Sequence, residues 1–242
     1  MDKVSEDVYF EVSNLTKKIG DSMVLDNLSF SIPKGSIVGF LGPNGAGKTT
    51  TLKALANIIP RDSGIIKLAG ETITPKDKDQ VMFLPDTPLV YPVLTGKEYL
   101  SFMSDLLKHN NENYSYYTKR LCLDVSLDKK ISEYSLGMKK KISLIPLLLK
   151  KPKILLLDEF FSGIDPISMR DIKSVLNDYI VDGNSVLLST HQLDAAQNTC
   201  EFIIIIDGGR VHKPSTRVKE ILDTENSIEN YFIKSINQIK KE

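Results

Sequence analysis

The chain has 242 residues, enough for one large domain or for a domain carrying an inserted lobe. Hydrophobic residues make up 41% and charged residues 26%, the balance of a globular protein rather than of a disordered or fibrous one. Lys plus Arg and Asp plus Glu are 31 each, so the net charge is zero, and the large positive field on which general nucleic-acid binding depends is excluded; no nucleic-acid partner is expected.

Residues 1–7 are charged and lack a signal-peptide core. Val8–Val12, Leu28–Ile32 and Ile65–Leu68 are expected as strands, flanked by the turn signals Ile19-Gly20-Asp21, Pro33-Lys34-Gly35 and Asp62-Ser63-Gly64. They predict an antiparallel sheet that brackets the next apolar run, Ser36–Leu41, on both sides. That run is expected as a buried strand, and Thr50–Asn57 after it as a helix. Gln80–Leu84 reads as a further core strand. Thr95 with Glu98 is a capping box opening a helix over Thr95–Leu107. Asn110–Tyr117 is polar and tyrosine-rich and is expected to turn into a helix ending near Leu123, and Met138–Leu149 is again helical. Residues from about 94 to 150 therefore read as a helical lobe inserted in the core. Strands at Ile154–Leu157, Ser185–Thr190 and Phe202–Ile206, with helices at Met169–Val181 and Leu193–Thr199 between them, predict a mainly parallel sheet with right-handed crossovers. From about 215 to 242 the chain reads as a helical tail, with Ile228, Phe232, Ile236 and Ile239 in a stripe that suits docking on the domain better than a partner. The two cysteines, Cys122 and Cys200, fit neither a disulfide framework nor a zinc site and are expected as reduced thiols in a cytosol. Apolar runs such as Ile142–Leu149 and Phe202–Ile206 are too short to span a bilayer, so a membrane role needs a partner.

Three constellations carry chemistry. Gly42-Pro43-Asn44-Gly45-Ala46-Gly47-Lys48-Thr49-Thr50 fits G-x-x-x-x-G-K-T, the phosphate-binding P-loop, and it stands between an expected strand and an expected helix. Glycines let the backbone come close to a polyanion. Its N–H groups and the positive end of the helix dipole then face the phosphates. Lys48 reaches the β- and γ-phosphates, and the Thr49 hydroxyl is placed for Mg²⁺. The second is Ile154-Leu155-Leu156-Leu157-Asp158-Glu159, a buried strand ending in two carboxylates. Asp158 is a candidate Mg²⁺ ligand and Glu159 a candidate base for an attacking water; alone, the same pattern also fits a solvated turn. The third is Tyr134-Ser135-Leu136-Gly137-Met138 at the start of a helix, either a plain N-cap or a second anion cradle. One P-loop domain has little use for two cradles, whereas a dimer in which each cradle holds the partner's γ-phosphate uses both.

With Ser162-Gly163-Ile164-Asp165-Pro166 and Ser189-Thr190-His191 added, these motifs follow the order seen in the nucleotide-binding subunits of ABC transporters, and the chain resembles that family over about residues 8–210. The resemblance implies a single ABC ATPase domain over residues 1–242, with an α/β P-loop NTPase core of mainly parallel sheet, an antiparallel β subdomain and an inserted helical subdomain. It implies a head-to-tail dimer, of two copies or of paired ATPase subunits, enclosing two ATP molecules with Mg²⁺. Gly42 through Thr50 would hold phosphate, Thr49 and Asp158 the metal. Glu159 would be the base, Lys48 would act in catalysis, and His191 would contact the γ-phosphate. Ser135 and Gly137 would cap the partner's ATP, and Asp165 would lie in the loop linking the two sites. Several positions depart from the family pattern. Leu136 stands for the first signature Gly and Met138 for Gln, as in exporter-type variants. Ile19 stands where an aromatic ring usually stacks on adenine. Asp86 stands for a Gln that contacts the metal and the attacking water, which makes Asp86 a candidate Mg²⁺ ligand. Pro88–Leu94 is apolar and proline-bounded, suiting either burial or a groove, with Tyr91 in it, for a coupling helix of a membrane subunit.

The function expected is ATP hydrolysis that powers transport, most simply export, through a separate transmembrane permease subunit, with the chain peripheral on the cytoplasmic face of the cell membrane. Two rivals differ in class. A soluble ABC-type regulatory ATPase would usually bring two ATPase domains or a coiled coil. A P-loop small-molecule kinase would bring an acceptor site and a lid arginine in place of a signature serine and a switch histidine.

Overall fold

The computed structural model describes residues 8–108 and 114–239. Its first strands, β1 (Val8–Ile19) and β2 (Ser22–Pro33), form one long hairpin turned at Gly20 and Asp21. Only the outer part of that hairpin was expected as strand. Asn14 and Asn27 take left-handed backbone with φ of 55°, and the register shifts between Val12 and Leu15, so the simple alternation of apolar residues breaks although pairing continues. β1 also pairs with β4 (Ser63–Leu68), which carries the two-residue β5 (Glu71–Thr72) at its far edge.

β3 (Ile37–Leu41), β6 (Val81–Leu84), β7 (Ile154–Asp158), β8 (Ser185–Thr190), β9 (Phe202–Asp207) and β10 (Arg210–Arg217) make a second sheet in the order β10-β9-β3-β8-β7-β6. Every pairing in it is parallel except β10 against β9. The antiparallel strands therefore do not bracket β3, as the sequence led us to expect. β3 is buried at all five residues, so it is flanked by two parallel strands and covered on both faces. The antiparallel sheet covers one face: Phe10, Val12, Leu28 and Phe30 share a core with Val38, Phe40 and Ile204, and the Phe30 and Phe40 rings lie 5.3 Å apart. Strand residues alternate between the two cores. Val38, Leu156 and Ile204 enter the core under the antiparallel sheet, while Ile37, Leu155 and Ile203 enter the core under the helices. β6 stands where the further core strand was expected and lies at the sheet edge.

α1 (Lys48–Leu55) follows β3. α2 (Gly96–Leu106), α3 (Tyr114–Arg120) and α4 (Leu136–Lys150) lie between β6 and β7 in the chain. The capping box is formed: the Glu98 N–H donates to Thr95 Oγ1 at 3.2 Å and the Thr95 N–H to Glu98 Oε2 at 2.8 Å. Of the expected turn Asn110–Tyr117, residues 110–113 lie outside the described residues, and Tyr114–Tyr117 are helical, because Tyr114 and Tyr117 pack on the helical core. α5 (Pro166–Val181) and α6 (Leu193–Thr199) stand where expected. β10 is too polar to be seen as a strand in the sequence; it is paired through its backbone at the sheet edge. α7 (Val218–Glu225) and α8 (Ile228–Ile239) end the described chain. Ile228 is buried, and Phe232 and Ile236 pack against the same core; the Ile239 side chain lies outside the described residues.

Candidate active site

In an open parallel sheet the carboxyl ends of the strands form the ligand crevice. β3, β8 and β7 are neighbours, and their ends place residues 42–48, Thr190 with His191, and Asp158 with Glu159 along one edge. At Gly42 a Cβ would fall 2.4 Å from the Ile206 carbonyl oxygen, so no larger residue fits where β3 leaves the sheet. Gly47, the residue before α1, has φ of 97°, and a Cβ there would meet Leu25 at 2.9 Å. At Gly45 a Cβ would meet nothing within 4 Å: the loop arches over open space. That space is a crevice of about 330 Å³ lined by Val24, residues 44–50 and Glu159.

Lys48 is buried, and its ammonium donates to Gly42 O (2.8 Å) and Pro43 O (3.2 Å), with Glu159 Oε1 at 3.7 Å. Thr49 Oγ1 donates to Asp158 Oδ2 at 2.8 Å. The other Asp158 oxygen accepts from Ser189 Oγ, because Asp158 and Ser189 are register partners on β7 and β8. Glu159 follows in left-handed backbone with φ of 44°. Its carboxylate lies 2.9 Å from His191 Nδ1. Gly42 through Thr50, Asp158, Glu159 and His191 are thus brought together as the sequence suggested. Ser189 and Val24 were not foreseen. The signal for Ser189 was its place at the end of β8 opposite Asp158; Val24 had none.

Ser135, Gly137 and Asp165 form a second group, and none of them lines that crevice. Ser135 Oγ accepts from the Met138 N–H at 3.2 Å at the start of α4. Asp165 caps α5, accepting from the Ser168 N–H at 2.9 Å; that bond, with the Ser168 hydroxyl, holds its carboxyl below the usual range. A Cβ at Gly137 would meet Ser168 Oγ at 2.6 Å and Asp165 Oδ2 at 3.1 Å, so the bare glycine packs the α4 start against the α5 cap. Asp86 pairs with Lys140 at 3.0 Å. Ile19 lies exposed at the tip of the β1–β2 hairpin and is not among the lining residues, where Val24 supplies the apolar wall.

The ABC transporter family matches residues 25–162 of this chain. The chain belongs to the ABC transporter family. Among its ABC relatives is the uncharacterized ABC transporter ATP-binding protein YdbJ of Bacillus subtilis, 32% identical over 205 residues, which span 83% of this chain and 67% of that one. The lantibiotic transport ATP-binding protein SrtF of Streptococcus pyogenes is 28% identical over 83% of this chain and 88% of its own length. The solved ATP-binding subunit of an ABC transporter superposes with a TM-score of 0.82 at 26% identity, covering 94% of this chain and 99% of that one. The fold is accordingly the α/β P-loop NTPase fold of an ABC nucleotide-binding domain, a domain that binds ATP. No helix among the described residues is long and apolar enough to cross a membrane.

The donor set also fits Mg²⁺. Thr49 Oγ1 and Asp158 Oδ2 are hard oxygens 2.8 Å apart beside the P-loop. Among the described residues no group of three or more His, Cys, Asp or Glu side chains could hold a metal alone, and a Mg²⁺ ion here would complete its shell with water or phosphate oxygens.

Proposed function

We propose that this chain hydrolyses ATP to ADP and phosphate in the P-loop crevice and that dimer closure around the nucleotide drives a transmembrane permease subunit, in the direction of export. The observation that carries the proposal is that Lys48, Thr49 and Glu159 line one crevice, with Asp158 bonded to Thr49 and His191 beside Glu159. Thr49 and Asp158 would hold Mg²⁺, which when bound neutralises charge on the phosphates. The P-loop N–H groups bind phosphate oxygens, and the Lys48 ammonium leaves Gly42 O and Pro43 O for the β- and γ-phosphates. Glu159 orients the attacking water and takes its proton as the bond from water oxygen to γ-phosphorus forms and the bond to the bridging oxygen of ADP breaks. His191, 2.9 Å from the Glu159 carboxylate, donates a ring N–H to the γ-phosphate. Ser135 and Gly137 close on the γ-phosphate of the partner's ATP, and Asp165, packed against Gly137, lies between the two sites. Asp86, which the sequence offers as a further Mg²⁺ ligand, is held by Lys140 at 3.0 Å, and we assign it to that pair rather than to the metal.

On this reading residues 1–242 are one ATPase domain, the helices between about 94 and 150 are its lobe, and the helices from about 215 onward are its tail. Leu89 (69% exposed), Tyr91 and Val93 (77%) present an apolar edge beside Phe102, whose ring meets Tyr91 at 5.3 Å. That edge suits the permease on the cytoplasmic face of the membrane. Transport by the SrtF relative supports the link to a permease, and the Tyr-Ser-x-Gly-Met signature supports export. Phosphate release from Mg-ATP with no acceptor added tests the chemistry. Turnover is expected; release only when a phospho-acceptor is supplied would replace the ATPase by a kinase.

A further inference from the structure

We propose that Lys140 is a positioning residue for the base: it fixes the backbone of Glu159 and ties it to Asp86. The inference rests on the ATPase reading above. Lys140 stands on α4, five residues after the Ser135 cap, and is 1% exposed. A buried ammonium is tolerated only where its protons are matched by acceptors. Its three donors meet three oxygens: Ser162 O at 2.9 Å, Asp86 Oδ1 at 3.0 Å and Glu159 O at 3.2 Å. The Phe160 ring lies beneath it, 5.8 Å away.

The carbonyl it holds belongs to the residue whose side chain faces the P-loop. Glu159 has a φ of 44°, a conformation that a non-glycine residue keeps only when its surroundings over-determine it. Its N–H is bound by Ser189 O (3.0 Å) and Ser189 Oγ (3.1 Å), and its carbonyl accepts from the Ser162 N–H (3.0 Å) and from Lys140. The backbone is thus gripped at both ends, and this sets where the carboxylate points. Lys140 reaches the carbonyl and not the carboxylate, so it acts through Glu159 rather than on the water. Asp86 supplies the one carboxylate of the cluster and is 54% exposed, in the loop that leads to Leu89, Tyr91 and Val93. A displacement of that loop, or of α4 from its Ser135 end, therefore arrives at the base through a single ammonium.

The test compares Lys140→Met, Lys140→Arg, Asp86→Asn and the Lys140→Met/Asp86→Asn pair. The readouts are kcat and KM for phosphate release, affinity for a fluorescent ATP analogue, and thermal unfolding. A displaced base lowers rate without lowering affinity, so Lys140→Met is expected to reduce kcat about 10- to 100-fold with KM and analogue affinity within about twofold. Lys140→Arg, which keeps the cation but replaces the compact ammonium by a larger planar guanidinium, should recover only part of the kcat lost in Lys140→Met. Asp86→Asn should lower kcat in the wild-type background and add nothing in Lys140→Met, because its effect passes through the ammonium. A wild-type kcat in folded Lys140→Met overturns the proposal, as does an Asp86→Asn effect that persists in that background. If Lys140→Met does not fold, Asp86→Asn decides: lowered kcat at constant KM supports the link, and unchanged kcat overturns it. Wild-type protein that releases no phosphate fails before any variant is compared, and that result overturns the ATPase reading and this inference together.

Discussion

Gly42→Ala separates the geometry of the P-loop from its composition. The added methyl carbon would lie 2.4 Å from the Ile206 carbonyl, against the roughly 3.4 Å at which ordinary contact begins, with Ala46 Cβ at 3.0 Å behind it. The nearest obstacle is the backbone of β9 and cannot rotate away, so the end of β3 and the loop must shift by about 1 Å. Overpacking of this kind costs about 1–3 kcal/mol, which in a chain of this size lowers Tm by about 2–12 °C. A 1 Å displacement of groups that position a reacting phosphate costs roughly 100-fold in turnover. Gly70→Ala is the control: φ is 85° and a Cβ meets nothing within 4 Å, so it carries only the left-handed backbone penalty of about 1–2 kcal/mol, at a residue that does not line the crevice. Differential scanning fluorimetry and phosphate release read both effects. Gly42→Ala should lose both stability and turnover, Gly70→Ala stability alone. Gly42→Ala turnover within threefold of wild type would refute the argument that contact with Ile206 sets the loop position.

Ser135→Arg should lower turnover by about 100-fold, since it replaces a helix cap by a bulky cation where a partner's γ-phosphate is to be met, while a fluorescent ATP analogue still binds the monomer. Unchanged turnover would leave Ser135 as a cap only. Tyr91→Ala removes an exposed ring that touches Phe102 and Tyr99 and should reduce permease-coupled transport with basal phosphate release nearly intact; an equal fall in both would assign Tyr91 to folding. Burial pushes the Cys200 thiol up to about 12, so iodoacetamide near pH 8 should modify Cys122, which is exposed, and reach Cys200 only in denaturant. Two fast adducts on native protein would contradict the placement of Cys200 in the core.

The chemistry was legible because it sits on contiguous motifs. Gly42 through Thr50 needs its glycines and its lysine at fixed offsets, and Asp158 and Glu159 end a run that is apolar on every residue because β7 is covered on both faces. The sheet partners were not legible. Nothing local in Val8–Val12 says that it will stack over β3 rather than pair beside it, since pairing is decided by residues far away in the chain. The inner part of the β1–β2 hairpin was hidden by Asn14 and Asn27, whose left-handed backbone interrupts the two-residue period. β10 was hidden by its polar residues, because an edge strand is held by backbone hydrogen bonds and needs no apolar pattern. Lys140 was equally hidden: among Lys139, Lys140 and Lys141 the sequence shows three similar charges. Helix phase turns Lys140 toward Asp86 and Glu159, and Lys141 toward Asp171 at 2.8 Å.

The central claim is that each chain carries two incomplete half-sites, a P-loop crevice and a Ser135–Gly137 cradle, which nucleotide joins between two chains. Glu159→Gln keeps the shape of the base and removes its capacity to take a proton, so ATP should remain bound and uncleaved. Light scattering on this variant, with and without Mg-ATP, measures the claim directly. The account predicts the monomer mass of 27.1 kDa without nucleotide and twice that mass with Mg-ATP. A mass that stays at 27.1 kDa while a fluorescent analogue shows the crevice filled would contradict it.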